Sequence, residues 1–141
     1  MTAMTGVERV LLDYATAIDT KDWELFGALF DPDCTMTTAA GTISGAPALT
    51  RHMRDLHAPL DASAHRVTNV DIAETADGAT ARSYLDALLV RAGHPEGPTF
   101  RVVGFYDDEL RRSAGGWVIL HRAFRAIWRE GNAAVLGVPG G

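Results

Sequence analysis

The sequence predicts one α+β domain in which helices come first and a mostly antiparallel sheet follows. Two observations carry this. Apolar residues recur with the helical period only as far as about residue 57, and from about Ala64 the chain turns into long strand-like runs separated by turns. At 141 residues, one domain has enough chain to bury a core without disulfides or a structural metal.

The first helix is announced by Thr5 and Glu8, the two ends of a capping box. Val7, Val10, Leu11, Tyr14, Ala15 and Ile18 then build one apolar face running to about Asp19. Asp19 and Thr20 supply an N-cap for a second helix. It carries Trp23, Phe26, Leu29 and Phe30 on one stripe and ends at Asp31-Pro32-Asp33. Residues 34–38 read as a short strand, Gly41 and Gly45 as turns, and Pro47 as the first turn of a third helix that stops before Pro59. Strands are predicted over 65–73, 79–91, 99–112 and 116–129, with turns at 77–78, 94–98 and 114–116. The domain is placed at 1–130 and a flexible tail, or one draped over a neighbour, at 131–141.

Residues 87–90 and 117–120 are consecutive apolar runs, so both faces of the sheet are expected to be partly buried. Three helices can cover only one face. The other is expected to meet another subunit, making a homodimer or homotrimer through the sheet.

Net charge excludes some partners. At −5, with pI near 5.4, the chain lacks the clustered cations that nucleic acid requires; the adjacent Arg111 and Arg112 follow Asp107, Asp108 and Glu109. Cys34 is the sole cysteine, which excludes an intrachain disulfide and a cysteine-based zinc site. No run approaches the ~18 apolar residues of a membrane span and no leader pattern opens the chain, so no membrane contact and a cytoplasmic location are expected. His52, His57, His65, His94 and His121 lack ligand spacing, and neither a phosphate-binding glycine loop nor a nucleophile elbow occurs. Neither a metal nor a cofactor is expected.

Several segments together resemble a known family: YATAIDTKDW at 14–23, LFDPD at 29–33, HRVTN at 65–69, YDD at 106–108, GW at 116–117 and Arg122. In this order they are similar, over nearly the whole chain, to the SnoaL-like branch of the NTF2-like superfamily, which includes scytalone dehydratase and bile-acid 7α-dehydratase. The resemblance implies a cone in which three N-terminal helices pack on a strongly curved sheet and enclose a pocket. The superfamily spans dehydratases, ketosteroid isomerases, polyketide cyclases, epoxide hydrolases and proteins without a reaction, so chemistry must be read from pocket residues.

By that resemblance His65, opening the first long strand, is the general base; an imidazole can accept and return a proton near neutral pH. Asp19 would orient it and stabilise the imidazolium, unless it merely caps the second helix. Tyr14, five positions earlier, would stabilise an enolate oxygen or protonate a departing hydroxyl, with core packing as the alternative. Asp86 is an acid inside an apolar strand, where a charge needs a partner or a role; an exposed edge is the other reading. Arg122 would bind a carboxylate, thioester or carbonyl, with an ion pair to Asp86 or Asp108 as the alternative and Arg125 as a competitor. Asn69, Tyr106 and Trp23 complete the substrate-binding candidates, core packing being the alternative for Trp23.

Departures from the family narrow the chemistry. Thr37, Thr38, Ala39 and Ala40 stand where ketosteroid isomerases carry their aspartate base, and Ile18 replaces a substrate-binding tyrosine of scytalone dehydratase. The expectation is a cofactor-independent, dehydratase-like lyase acting on a small hydrophobic, carbonyl-bearing, polyketide- or steroid-like substrate. Isomerase, cyclase or epoxide hydrolase chemistry in the same pocket is second, and a non-catalytic small-molecule-binding module third.

Overall fold

A computed structural model describes residues 6–140. Its elements are α1 (Gly6–Asp19), α2 (Trp23–Ala28), β1 (Phe30–Thr38), β2 (Gly41–Ser44), α3 (Ala46–His57), β3 (Ala62–Glu74), β4 (Ala79–Val90), β5 (Thr99–Ser113) and β6 (Gly116–Gly131). Thr5, the expected cap of α1, lies outside the described residues. The apolar face of α1 is buried as its period requires, from Val7 to Ile18. None of the helices described is long and apolar enough to cross a membrane.

The α1–α2 junction differs from the sequence reading. Asp19 is the last residue of α1, and the cap of α2 is Asp22, whose side chain accepts from the Leu25 amide at 3.0 Å. Lys21 takes the left-handed conformation (φ 55°) between them. Its amide returns to the Ile18 carbonyl and that of Asp22 to Ala17, the two bonds that close a Schellman turn. Lys21 Nζ donates to the Leu60 carbonyl at 2.8 Å. The corner therefore pins α1 to the segment entering β3, and Asp19 is freed for another task.

The expected strongly curved, cone-like sheet is not what forms; the sheet is open and mixed. Its order is β2-β1-β6-β5-β4-β3. β1 runs parallel to β6 and the remaining pairings are antiparallel. A sheet closes only when its outermost strands pair. Here the parallel β1–β6 pairing sends the β1–β2 hairpin to one edge and leaves β3 at the other. β2, with 4 residues, also offers little ladder to β3, with 13. Pro32, which cannot donate to a ladder, falls where the β1–β6 register shifts.

Burial alternates along β4: Leu85, Ala87 and Leu89 face the helices, while Tyr84 and Leu88 are exposed on the other side. Ile127 and Trp128 on β6 are exposed too. The apolar run at 87–90 therefore does not mark a strand buried on both faces of this chain. Gly104 sits at a register shift between β5 and β6, where a Cβ would approach the Arg125 carbonyl oxygen to 2.2 Å.

Beyond β6 the chain turns back onto the fold. Asn132 caps a short 3-10 turn (Ala133–Val135), and the Gly137 amide donates to the Leu56 carbonyl. Val135 is fully buried in a small cluster with Leu60, Leu89 and Phe100, against which Leu136 packs. Within the segment read as a flexible tail, or as one draped over a neighbour, Leu136 and Pro139 line the cavity between α3 and the sheet.

Candidate active site

Between the inner face of the sheet and α1, α3 and the C-terminal turn lies a cavity of about 570 Å³. Its apolar wall includes Met53, Leu56, Leu85, Ala87, Val102 and Phe124; its polar groups include Tyr14, His57, His65 and Tyr106. No aspartate or glutamate is among the described residues that line it. A second groove of about 490 Å³, between Thr35, Asp71, Arg82, Asp107 and His121, is polar and holds neither His65 nor Tyr14.

Asp19 stands behind His65, outside the cavity lining. Its Oδ1 accepts from His65 Nδ1 at 2.7 Å and from Ser63 Oγ at 2.8 Å, and its Oδ2 accepts from the His65 amide at 2.9 Å. Burial pushes its carboxyl up, yet the hydrogen bonds and charge of His65 win and hold it below the usual carboxylate range. A carboxylate at a helix C-terminus is unfavourable to the helix dipole, so these donors are what retain it. Because a carboxylate only accepts, His65 Nδ1 carries a proton, and in the neutral ring it is Nε2 that has the lone pair. The side chain of His65 is only 6% exposed.

The far side of the site is aromatic. Tyr14 and Tyr106 are buried with ring centroids 5.7 Å apart. The guanidinium of Arg122 lies 4.2 Å from the Tyr14 centroid and 3.8 Å from that of Tyr106. Burial raises the Tyr14 phenol above its ordinary value, against the opposing Arg122 charge and the contact with Tyr106. Tyr14 is therefore a neutral donor at physiological pH. Arg122 is itself inaccessible: Nε and Nη2 grip Asp108 at 2.7 and 2.9 Å, and Nη1 has no hydrogen-bond partner. Of the alternatives for this arginine, the ion pair with Asp108 is the one formed.

Three candidates lie away from the cavity. Asp86 falls on the outer face, because β4 alternates, and makes a two-pronged ion pair with Arg101 at 2.9 and 2.7 Å. Asn69 is exposed and left-handed (φ 51°) at the register shift in β3, a backbone task suited to asparagine. Trp23 is half-buried between Phe26 and His57 and packs on the core.

The sequence reading did not single out His57. Its signal was nevertheless present: Leu49, Met53 and His57 continue one i, i+4 stripe of α3, and all three are buried. Burial, opposed by the hydrogen bond to the Met53 carbonyl and the charge of Asp19 and helped slightly by His65 and Lys21, lowers its pKa to about 4. The unfolded imidazole titrates near 6.5. Between those values the unfolded chain binds a proton that the folded chain refuses, so stability falls as pH drops from about 6.5 to about 4 and then levels. The loss at the bottom of that window is expected to be about 3 kcal/mol. Urea unfolding at a series of pH values should show the slope in the native chain and not in His57→Gln; an equal slope in both would refute the assignment.

The SnoaL-like domain model matches residues 1–123. The uncharacterized protein Rv2910c of Mycobacterium tuberculosis is 27% identical over 118 residues, covering 82% of this chain and 80% of that protein. A solved structure of a candidate scytalone dehydratase from Novosphingobium aromaticivorans shares the fold with a TM-score of 0.83 at 22% identity, covering 96% of this chain and 91% of that one. The hexachlorocyclohexane dehydrochlorinase LinA-type3 of Novosphingobium barchaimii gives 0.76 at 17%, covering 95% and 92%. With the family model spanning most of its sequence, the chain belongs to the SnoaL-like domain family of the NTF2-like superfamily.

Proposed function

We propose that the cavity is the active site of a cofactor-independent, dehydratase-like lyase acting on a small hydrophobic substrate that carries a carbonyl and a β-hydroxyl. The observation that carries this reading is the 2.7 Å contact of Asp19 with His65 Nδ1, which leaves Nε2 as a base at an apolar cavity. Nε2 removes the proton α to the carbonyl, and Asp19 stabilises the resulting imidazolium. The electrons of the C–H bond become the enolate, whose oxygen is met by the Tyr14 phenol with Arg122 behind it. As the enolate collapses to the conjugated C=C, the β C–O bond breaks and the imidazolium returns its proton to the leaving hydroxyl, giving water. Support also comes from structural relatives named for eliminations, one of water and one of hydrogen chloride.

Tyr14 and Arg122 would stabilise an enolate whether or not a leaving group follows, which favours isomerisation as the second reading. A bicyclic test substrate separates the two. 3-Hydroxy-1-tetralone loses water to become 1-naphthol, which is fluorescent. Enzyme-dependent naphthol formation is the expected result; α-deuteration of the ketone in heavy water without naphthol would move the assignment to isomerase chemistry, and neither change would sink both.

The proposed assembly is a homodimer or homotrimer through the outer face of the sheet, where Tyr84, Leu88, Ile127 and Trp128 are exposed. Sedimentation velocity should find an oligomer for the native chain and a smaller species for Trp128→Asp; a native monomer at micromolar concentration would refute it. The cytoplasm is the proposed compartment.

A further inference from the structure

His57 shares the cavity with His65 but is held differently, and the elimination scheme does not use it. It is the last residue of α3, and its Nδ1 lies 2.8 Å from the Met53 carbonyl one turn back. A carbonyl oxygen only accepts, so Nδ1 carries the proton and Nε2, on the far edge of the ring, keeps a lone pair. Nε2 has no hydrogen-bond partner among the described residues. The residue is 3% exposed and lines the cavity. Its ring is packed between Trp23 and His65, with centroids 6.1 and 5.7 Å away. Here an oriented acceptor is held in an apolar cavity with nothing yet to accept from.

We propose that His57 is a substrate-binding residue whose Nε2 accepts a hydrogen bond from a hydroxyl group on an otherwise apolar, ketone-bearing molecule. Its neutrality suits that role. Burial disfavours the imidazolium, and proton uptake by His65 during the reaction would add a like charge nearby. Lys21 also opposes a charge on the ring; Asp19, whose charge favours one, is committed to His65 and Ser63. The two histidines thus divide the work, one moving a proton and the other reading a donor. A site built to accept penalises a ligand that lacks the donor, because the acceptor is then desolvated without a partner.

The inference rests on the cavity being the substrate site, but not on elimination, so its test uses probes that carry no hydroxyl β to the carbonyl. Binding of 1-tetralone, 4-hydroxy-1-tetralone and 5-hydroxy-1-tetralone would be measured by calorimetry on the full chain. The native protein is expected to bind at least one hydroxylated probe about tenfold more tightly than 1-tetralone. His57→Leu should abolish that preference while keeping the affinity for 1-tetralone, and His57→Gln, whose side-chain oxygen can stand near the Nε2 position, should restore part of it. In the native protein, the ¹⁵N resonance of His57 Nε2 should shift with the preferred hydroxylated probe and not with 1-tetralone, a readout that needs no variant to fold. Absence of a preference in the native chain, failure to bind any of the three probes, a preference that survives in His57→Leu, or an unmoved Nε2 resonance would each overturn the proposal. Selective binding without naphthol formation from 3-hydroxy-1-tetralone would instead sink only the lyase reading.

Discussion

Removing the Asp108 carboxylate, as in Asp108→Leu, is expected to destabilise the fold by about 3–5 kcal/mol. Asp108 and Arg122 have side chains with no exposure, and the guanidinium reaches its partner through two short bonds. The aromatic faces of Tyr14 and Tyr106 supply the rest of its surroundings, and Nη1 already lacks a hydrogen-bond partner. Without Asp108 a full positive charge would sit in the core with only ring quadrupoles to compensate it. The neighbouring residue is a built-in control. Asp107 pairs with Arg82 on the outer face, where both side chains are about half exposed, and losing such a pair costs under about 1 kcal/mol. Urea unfolding followed by tryptophan fluorescence should separate Asp108→Leu from Asp107→Leu clearly. Combining Asp108→Leu with Arg122→Met should recover most of the loss, because the penalty lies in the orphaned charge and not in the missing attraction. Similar losses for the two single variants would mean that the buried pair is not under the strain its surroundings imply.

The boundaries of the four long strands, to within a few residues, were legible because they depend on local period and turn chemistry, whereas β2 was read as turns. The topology of the sheet was not legible. Whether the outermost strands pair depends on β1 choosing β6 as a parallel neighbour, a contact between Thr35 and His121 that no local pattern records. Asp86 was misplaced for a related reason: apolar residues at 87–90 hid the parity of β4, and a shift of one residue exchanges the two faces. At the site, resemblance drew attention to Asp19, His65 and Tyr14, and the geometry brings Asp19 to His65 while Tyr14 and His65 share one cavity. Arg122 was legible as a polar group in the last strand, but its partner was one of two open choices, since Asp86 and Asp108 look alike until strand register is known. His57 was weighed only for metal-ligand spacing, and its place on a buried stripe shows once the burial of Leu49 and Met53 beside it is seen.

In the tetralone assay, His65→Gln is expected to lower kcat by roughly 10²–10⁴-fold, the usual worth of a positioned general base. Asp19→Asn should do nearly as much, although it leaves His65 in place. The native carboxylate accepts from Nδ1–H and so, in the neutral ring, selects the tautomer with the Nε2 lone pair on the cavity side. In the variant, the new amide can accept from the His65 backbone N–H with its oxygen, as Oδ2 does now, which turns its NH2 toward Nδ1. Two donors cannot face each other, so the imidazole proton moves to Nε2 and the base is lost. Ser63→Ala removes a different donor to the same carboxylate without changing the tautomer, and is expected to retain activity within about tenfold. The ordering therefore distinguishes tautomer control from simple loss of contacts. KM should change little across the three variants, since none removes a group assigned to substrate binding, and heavy-water exchange at the α carbon should fall in parallel with kcat. Full exchange activity in Asp19→Asn, with the fold intact by circular dichroism, would show that the 2.7 Å contact is structural and that another group takes the proton.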